Sequence, residues 1–150
     1  MKKILIAEDD FFIRDIYSKI FSLSGYDVAV AVDGLDAFEK IKANPYDMVL
    51  LDIMMPKMTG IDVLKSIREL PAPTKDIPVF IITNLGQQDV IEQAFHLGMD
   101  GYIIKSQVTP QQLVAEITNY FENKQTEAPQ TAEQPAQSTP ISNSLTEPTK

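Results

Sequence analysis

Five short apolar runs, each followed by a stretch of helical spacing, constrain this chain more than any other feature of its sequence. The runs are Ile4–Ala7, Val28–Val32, Met48–Leu51, Val79–Ile82 and Tyr102–Ile104, rich in Val and Ile and without strict alternation. Runs of that kind suit strands buried on both faces of a parallel sheet. Between them, apolar residues recur three and four positions apart. Phe12, Ile13, Ile16, Tyr17, Ile20 and Phe21 form the first such stripe, and Ala37, Phe38 and Ile41 the second. Ile61, Leu64 and Ile67 form a third, Val90, Ile91, Ala94 and Phe95 a fourth, and Leu113, Val114, Ile117 and Phe121 a fifth. Each reads as one face of a helix. Five strands alternating with five helices predict an α/β fold, a doubly wound five-stranded parallel sheet with right-handed crossovers.

The punctuation agrees. Asp10 is placed to cap the first helix and Gly25 to end it. Gly98 ends the fourth, and Thr109-Pro110 opens the fifth with proline in its first turn. Pro71, Pro73 and Pro78 keep the third helix from running into the fourth strand. After residue 122 the composition changes. Residues 123–150 hold no glycine and no aromatic side chain, while Pro129, Pro135, Pro140 and Pro148 are spaced through them. Too little apolar area is present there to offset the entropy of ordering. The segment is expected to be a disordered tail, with the folded domain confined to 1–122.

At 44% hydrophobic residues, 150 positions supply one ordinary core. The apolar run behind Met1-Lys2-Lys3 is too short for a secretory signal (roughly 7–15 residues) or a membrane span (about 20). The absence of cysteine leaves no disulfide or thiolate metal site. A soluble, cytoplasmic protein without a membrane partner is expected. A net charge of −8 argues against direct binding of nucleic acid, which takes clustered Lys and Arg. Nearly all of that charge falls on residues 1–122, since the tail sets two lysines against three glutamates.

In an open parallel sheet, ligands bind beyond the carboxyl ends of the strands. Strand one ends at Glu8-Asp9-Asp10, strand three at Asp52, strand four at Thr83 and strand five at Lys105. Carboxylates, a hydroxyl and an ammonium from distant segments therefore converge on one edge. Two like charges about 4 Å apart repel by roughly 4 kcal/mol at an effective dielectric near 20. A cation would offset that repulsion, and an all-oxygen donor set selects Mg²⁺ or Mn²⁺. Helix capping accounts for Asp10 but not for Asp52, which precedes Ile-Met-Met-Pro rather than a helix start.

The segments Ile4-Leu-Ile-Ala-Glu-Asp-Asp, Met48-Val-Leu-Leu-Asp-Ile-Met-Met-Pro-Lys-Met-Thr-Gly60, Ile81-Ile-Thr83 and Gly101-Tyr-Ile-Ile-Lys105 together resemble the receiver domain of two-component response regulators. The likeness covers residues 1 to about 122, in order. It implies a flavodoxin-like topology and a stand-alone phosphorylation switch rather than an enzyme. Asp52 would be the phosphoacceptor, charged by a histidine kinase or phosphotransfer protein, with slow autodephosphorylation at most. Asp9 and Asp52 would hold Mg²⁺ directly, Glu8 through water, and Met54 through its backbone carbonyl. Thr83 and Lys105 would bond phosphoryl oxygens. Thr83 and Tyr102 would carry the switch, the hydroxyl moving toward the phosphate and the ring rotating inward. A downstream protein would then read the surface of helix four, strand five and helix five.

Three positions depart from the family pattern. Ser106 follows Lys105 where a cis proline is usual, so the lysine loop is expected to be less rigid. Asn84 replaces a smaller residue beside the phosphoryl pocket, and Met54 sets an apolar side chain where hydrolysis is tuned. Met54, Met55 and Met58 read as gap fillers, and His96 as a charge near a helix end rather than a catalyst. Pro56 and Gly60 shape the loop after Asp52. A haloacid-dehalogenase-like phosphatase is the alternative enzyme, yet it wants a second carboxylate where Met54 stands. An unphosphorylated interaction domain is a further alternative, and no Gly-x-Gly-x-x-Gly follows strand one to support a dinucleotide site.

Overall fold

The computed structural model describes residues 1–84 and 88–126, with side chains as far as residue 124. The strands are β1 (Lys3–Ala7), β2 (Asp27–Ala31), β3 (Met48–Asp52), β4 (Val79–Thr83) and β5 (Gly101–Ile104). They alternate with helices α1 (Phe11–Leu23), α2 (Gly34–Ala43), α3 (Gly60–Arg68), α4 (Gln88–His96) and α5 (Pro110–Thr126). All strands run parallel in the order β2-β1-β3-β4-β5, the flavodoxin-like doubly wound arrangement. The architecture is the one the alternating pattern predicts.

The chain divides into two units, Met1–Val114 and Ala115–Lys150, and α5 begins in the first and continues in the second. In the second unit the Tyr120 and Phe121 rings meet edge to face at 5.9 Å, and the Lys124 ammonium lies 5.9 Å from the Tyr120 ring. The helix runs to Thr126, past the boundary that composition sets at 122, because nothing in Asn123-Lys-Gln-Thr126 breaks a helix. The expected tail from 127 to 150 lies outside the described residues.

In the first unit, Leu5, Val49, Leu51, Val79 and Ile81 face a core completed by Ala37 and Ile41 of α2 and Val63, Leu64 and Ile67 of α3. Alternate strand residues, Ile4, Ile6, Met48 and Leu50, are as fully buried. That two-sided burial is why the central runs are continuously apolar. The edge strands differ from the sequence expectation. β2 and β5 are only half-buried, because an edge strand has one neighbour instead of two. The α1 stripe is likewise wider than the face it buries: Tyr17 and Phe21 are inside, whereas Phe12 is 74% and Ile16 50% exposed.

The caps fall where the sequence puts them. The Ile13 N–H donates to the Asp10 carboxylate at 3.1 Å, and Gly25 and Gly98 take φ of +96° and +87°. Thr109 and Gln112 exchange side-chain and backbone hydrogen bonds of 2.8 and 3.1 Å to start α5. At the amino-terminal rim of the sheet, Arg68 ties separate segments together. Its guanidinium donates to the carbonyls of Lys75 and Ile77 at 2.8 Å each and of Gly98 at 2.6 Å, and to the Asp100 carboxylate at 3.2 Å. The same Asp100 oxygen accepts the Val79 N–H at 2.8 Å, so the clamp fixes the start of β4 against the α4–β5 turn. Arg68→Ala is therefore expected to lower unfolding stability by about 1–3 kcal/mol, the worth of charge-assisted hydrogen bonds, as read from the urea midpoint. A midpoint shift too small to detect would show the clamp to be dispensable.

Candidate functional site

Strand register builds the site. Ala7 pairs with Leu51, Asp52 with Ile82, and Thr83 with Ile104. The next residue of β1 is thus level with Asp52, and Thr83 and Lys105 stand one step further along the same rim. Glu8, Asp52 and Thr83 are buried, and Asp9 is exposed. One carboxylate oxygen from each of Glu8, Asp9 and Asp52 lies within 4.8 Å of the others. The Lys105 ammonium donates to Glu8 Oε1 at 2.7 Å and stands 3.4 Å from Asp52 Oδ2. The other Glu8 oxygen accepts the Asp10 N–H at 3.2 Å.

The close quarters show in the acid–base chemistry. Burial, followed by the charge of Glu8, pushes the Asp52 carboxyl up to about 7, and the opposing pull of Lys105 is too weak to hold it down. Burial works against the Lys105 ammonium, yet the bond to Glu8 and the charges of Asp52 and Glu8 outweigh it and raise its pKa. Three carboxylates facing one ammonium leave the rim short of positive charge. The donor set is all hard oxygen, which suits a small divalent cation. Two oxygens on opposite sides of an octahedral Mg²⁺ are about 4.2 Å apart, a span comparable with the 4.8 Å that contains the cluster.

The sequence-predicted residues divide into those the rim gathers and those it does not. Glu8, Asp9, Asp52, Thr83 and Lys105 share it. Met54 lies in the loop after β3 and is 62% exposed, and Tyr102 stands on β5 and is 47% exposed. His96 ends α4 and meets the Phe95 ring edge to face at 6.1 Å. Ser106 lies within a single 3-10 turn, Lys105–Gln107, and shares a shallow apolar concavity with Asn84, Lys105, Tyr17 and Ile13. Gly60 differs from the sequence reading. Its role is space, because a Cβ there would overlap the Asp52 carbonyl oxygen at the start of α3. The left-handed residue of that loop is Lys57, at φ +72°, whose ammonium reaches the Asp33 carboxylate at 3.5 Å.

Two further residues border the rim without having been singled out in the sequence. Arg14 of α1 donates to the carbonyls of Glu8 at 2.8 Å and Asp9 at 3.3 Å. Tyr17 is buried one turn further on, and burial raises its pKa while Lys105, Glu8 and Asp52 act on it from a distance. A cationic side chain one turn into the helix after an acidic strand end was the available signal for Arg14. Tyr17 carried none beyond its place in an apolar stripe.

A family model described as the response regulator receiver domain matches residues 4–118. Chemotaxis protein CheY of Treponema pallidum (strain Nichols) is 41% identical over 106 residues, which cover 69% of this chain and 72% of that protein. The transcriptional regulatory protein CpxR homolog of Haemophilus influenzae (strain ATCC 51907 / DSM 11121 / KW20 / Rd) is 36% identical over 105 residues. That match covers 70% of this chain but 44% of the relative, so the chain spans under half of that regulator's length. The crystal structure of a CheY-like receiver domain protein from Methanospirillum hungatei JF-1 superposes with a TM-score of 0.76 at 27% identity, over 83% of this chain and 97% of that one. Among the described residues no helix is long and apolar enough to cross a membrane.

A pH dependence follows from the raised Asp52 pKa. A carboxyl held above its usual 3.8 in the folded state contributes stability at low pH that is lost as pH climbs through about 7. The metal-free protein is therefore expected to lose stability relative to Asp52→Asn between about pH 4 and 7. Paired thermal melts at pH 4.5 and 8 (within and beyond that titration range) measure it. Wild type that keeps or gains stability relative to Asp52→Asn as pH rises would contradict the assignment.

Proposed function

We propose, since the chain belongs to the response regulator receiver domain family, that Asp52 accepts a phosphoryl group from a phosphohistidine of a histidine kinase or phosphotransfer protein. A receiver domain is a signalling switch and not a classical enzyme, and the reading starts there. One observation carries it: oxygens of Glu8, Asp9 and Asp52 gathered within 4.8 Å, with the Lys105 ammonium bonded beside them. An Asp52 carboxylate oxygen attacks phosphorus, the bond from phosphorus to the donor nitrogen breaks, and that nitrogen keeps the electron pair, so that the ring, protonated on its other nitrogen, leaves as a neutral imidazole. Asp9 and Asp52, with Glu8 through water and the Met54 carbonyl, would hold Mg²⁺. Bound there, the ion supplies charge neutralisation for the transferring phosphoryl group.

The chain's own groups do the rest. Asp52 is pre-aimed, because β3 is buried along its whole length and α3 abuts its last carbonyl at Gly60. Phosphorylation adds about −1.5 to −2 charges at that rim. Lys105 would exchange part of its bond with Glu8 for a phosphoryl oxygen, and the buried Thr83 hydroxyl would turn toward another. The exposed Tyr102 ring would follow inward, changing the surface that α4 and β5 present to a downstream protein. Reversing a 99:1 preference takes about 5.5 kcal/mol, within reach of a few charge-assisted hydrogen bonds. The apolar Met54 side chain orients water poorly, so the phosphoryl group should persist.

Incubation with Mg²⁺ and acetyl phosphate is expected to add about 80 Da, one phosphoryl group, by intact-mass measurement. The adduct should disappear in Asp52→Asn and in chelator. Labelling that survives the substitution would move the acceptor elsewhere. Once donor is removed, the adduct should decay over minutes, and loss within seconds would refute the role given to Met54.

A further inference from the structure

Glu8 and Asp9 are consecutive, and consecutive residues of an extended strand point to opposite faces. Yet oxygens from both carboxylates come within 4.8 Å of each other and of Asp52. β1 ends at Ala7, so the peptide that joins them has left strand geometry and has to be held in its new orientation. Arg14 does the holding. Its Nη1 donates to the Glu8 carbonyl at 2.8 Å and to the Asp9 carbonyl at 3.3 Å, which are the two groups whose directions set where both side chains point. The helix that carries Arg14 is anchored in the same loop, through the Asp10 cap on the Ile13 N–H and the Asp10 N–H on the Glu8 carboxylate. Among the described residues no carboxylate forms an ion pair with Arg14. The guanidinium is spent on backbone beside a cluster of acids that it could have neutralised.

We propose that Arg14 is a positioning residue of the acidic rim, which locks the Glu8–Asp9 peptide so that both carboxylates face Asp52 around one divalent cation. The proposal rests on the metal-binding reading given above. Charge and geometry make opposite demands here, and the sign of one measurement tells them apart. Removing a positive charge near a cation site tightens cation binding if only the charge is felt. Removing the clamp on two ligand-bearing residues weakens it, by about tenfold to a hundredfold when groups behind the ligands are lost.

Calorimetric titration of Mg²⁺ alone, without phosphodonor, into wild type, Arg14→Gln and Arg14→Lys provides the test. Both variants are expected to bind about tenfold or more weakly. Arg14→Lys matters most, since it keeps the charge but replaces the planar Nη1 group that reaches both carbonyls with a tetrahedral ammonium on a different stem. Equal or tighter binding by Arg14→Gln would overturn the proposal. So would loss of fold in both variants by circular dichroism, which would assign Arg14 to the framework and not to the site. If wild type takes up no Mg²⁺, the metal reading falls and this inference with it. If wild type binds and the variants match it, only the role of Arg14 falls.

Discussion

Glu8, the residue after β1, and Asp52, the last of the adjoining β3, are both out of water, and repulsion between them is the constraint on which the rest of the molecule turns. Two carboxylates in that position are unfavourable unless something positive stands between them. Lys105 stands there, at 2.7 Å from one and 3.4 Å from the other. Burial first and the charge of Glu8 second raise the Asp52 carboxyl to about 7, against the pull of that one ammonium. The rim is thus a site with a standing deficit of positive charge. On the proposed reading, a divalent cation would relieve it and a phosphoryl group on Asp52 would alter it again, so the same imbalance would underlie both binding and switching.

The scaffold around that rim is enclosed and capped. β3 and β4 are buried throughout, flanked by β1 and β5, and their residues pack against helices whose ends are capped. Thr59 and Asp62 form a capping box that opens α3 directly after the site loop, and Gly60 lets that helix start against Asp52 itself. At the other rim, Arg68 binds three carbonyls and a carboxylate. Lys105, by contrast, follows β5, an edge strand on which Tyr102 is exposed. On the proposed reading, a charge change at Asp52 meets enclosed strands in β3 and β4 and, through Lys105, the half-buried edge strand β5. A switch needs that asymmetry, since a signal travels only where an element has two arrangements available.

Much of the fold was legible because parallel α/β proteins write their architecture in periodicity. A strand covered on both sides must be apolar at every position, and a helix packed on one side must be apolar at every third or fourth. The caps at Asp10 and Thr109 and the stops at Gly25 and Gly98 were legible for a similar reason, being local chemistry between residues a few positions apart. What periodicity does not carry is how far each face is covered. Phe12 and Ile16 read like Tyr17 and Phe21, yet the first two are exposed and the last two buried. The left-handed Lys57 was equally hidden, because lysine has no preference for that conformation and the surrounding loop imposes it. Arg14 reads as one more charged residue on a helix until the β1–α1 loop is seen folding back beneath it.

The amino-acid sequence alone determined that this chain alternates five strands with five helices and that acids, a threonine and a lysine end four of those strands. Those facts follow from residue type and spacing. The tertiary structure alone decided that Asp52 meets Glu8 across one register step, that Lys105 reaches both from 97 residues away from Glu8, and that Arg14 grips the backbone between two of the acids. Register, crossover order and loop direction are set by how whole elements pack, and no local pattern encodes a distance between residues that only the packed sheet brings together.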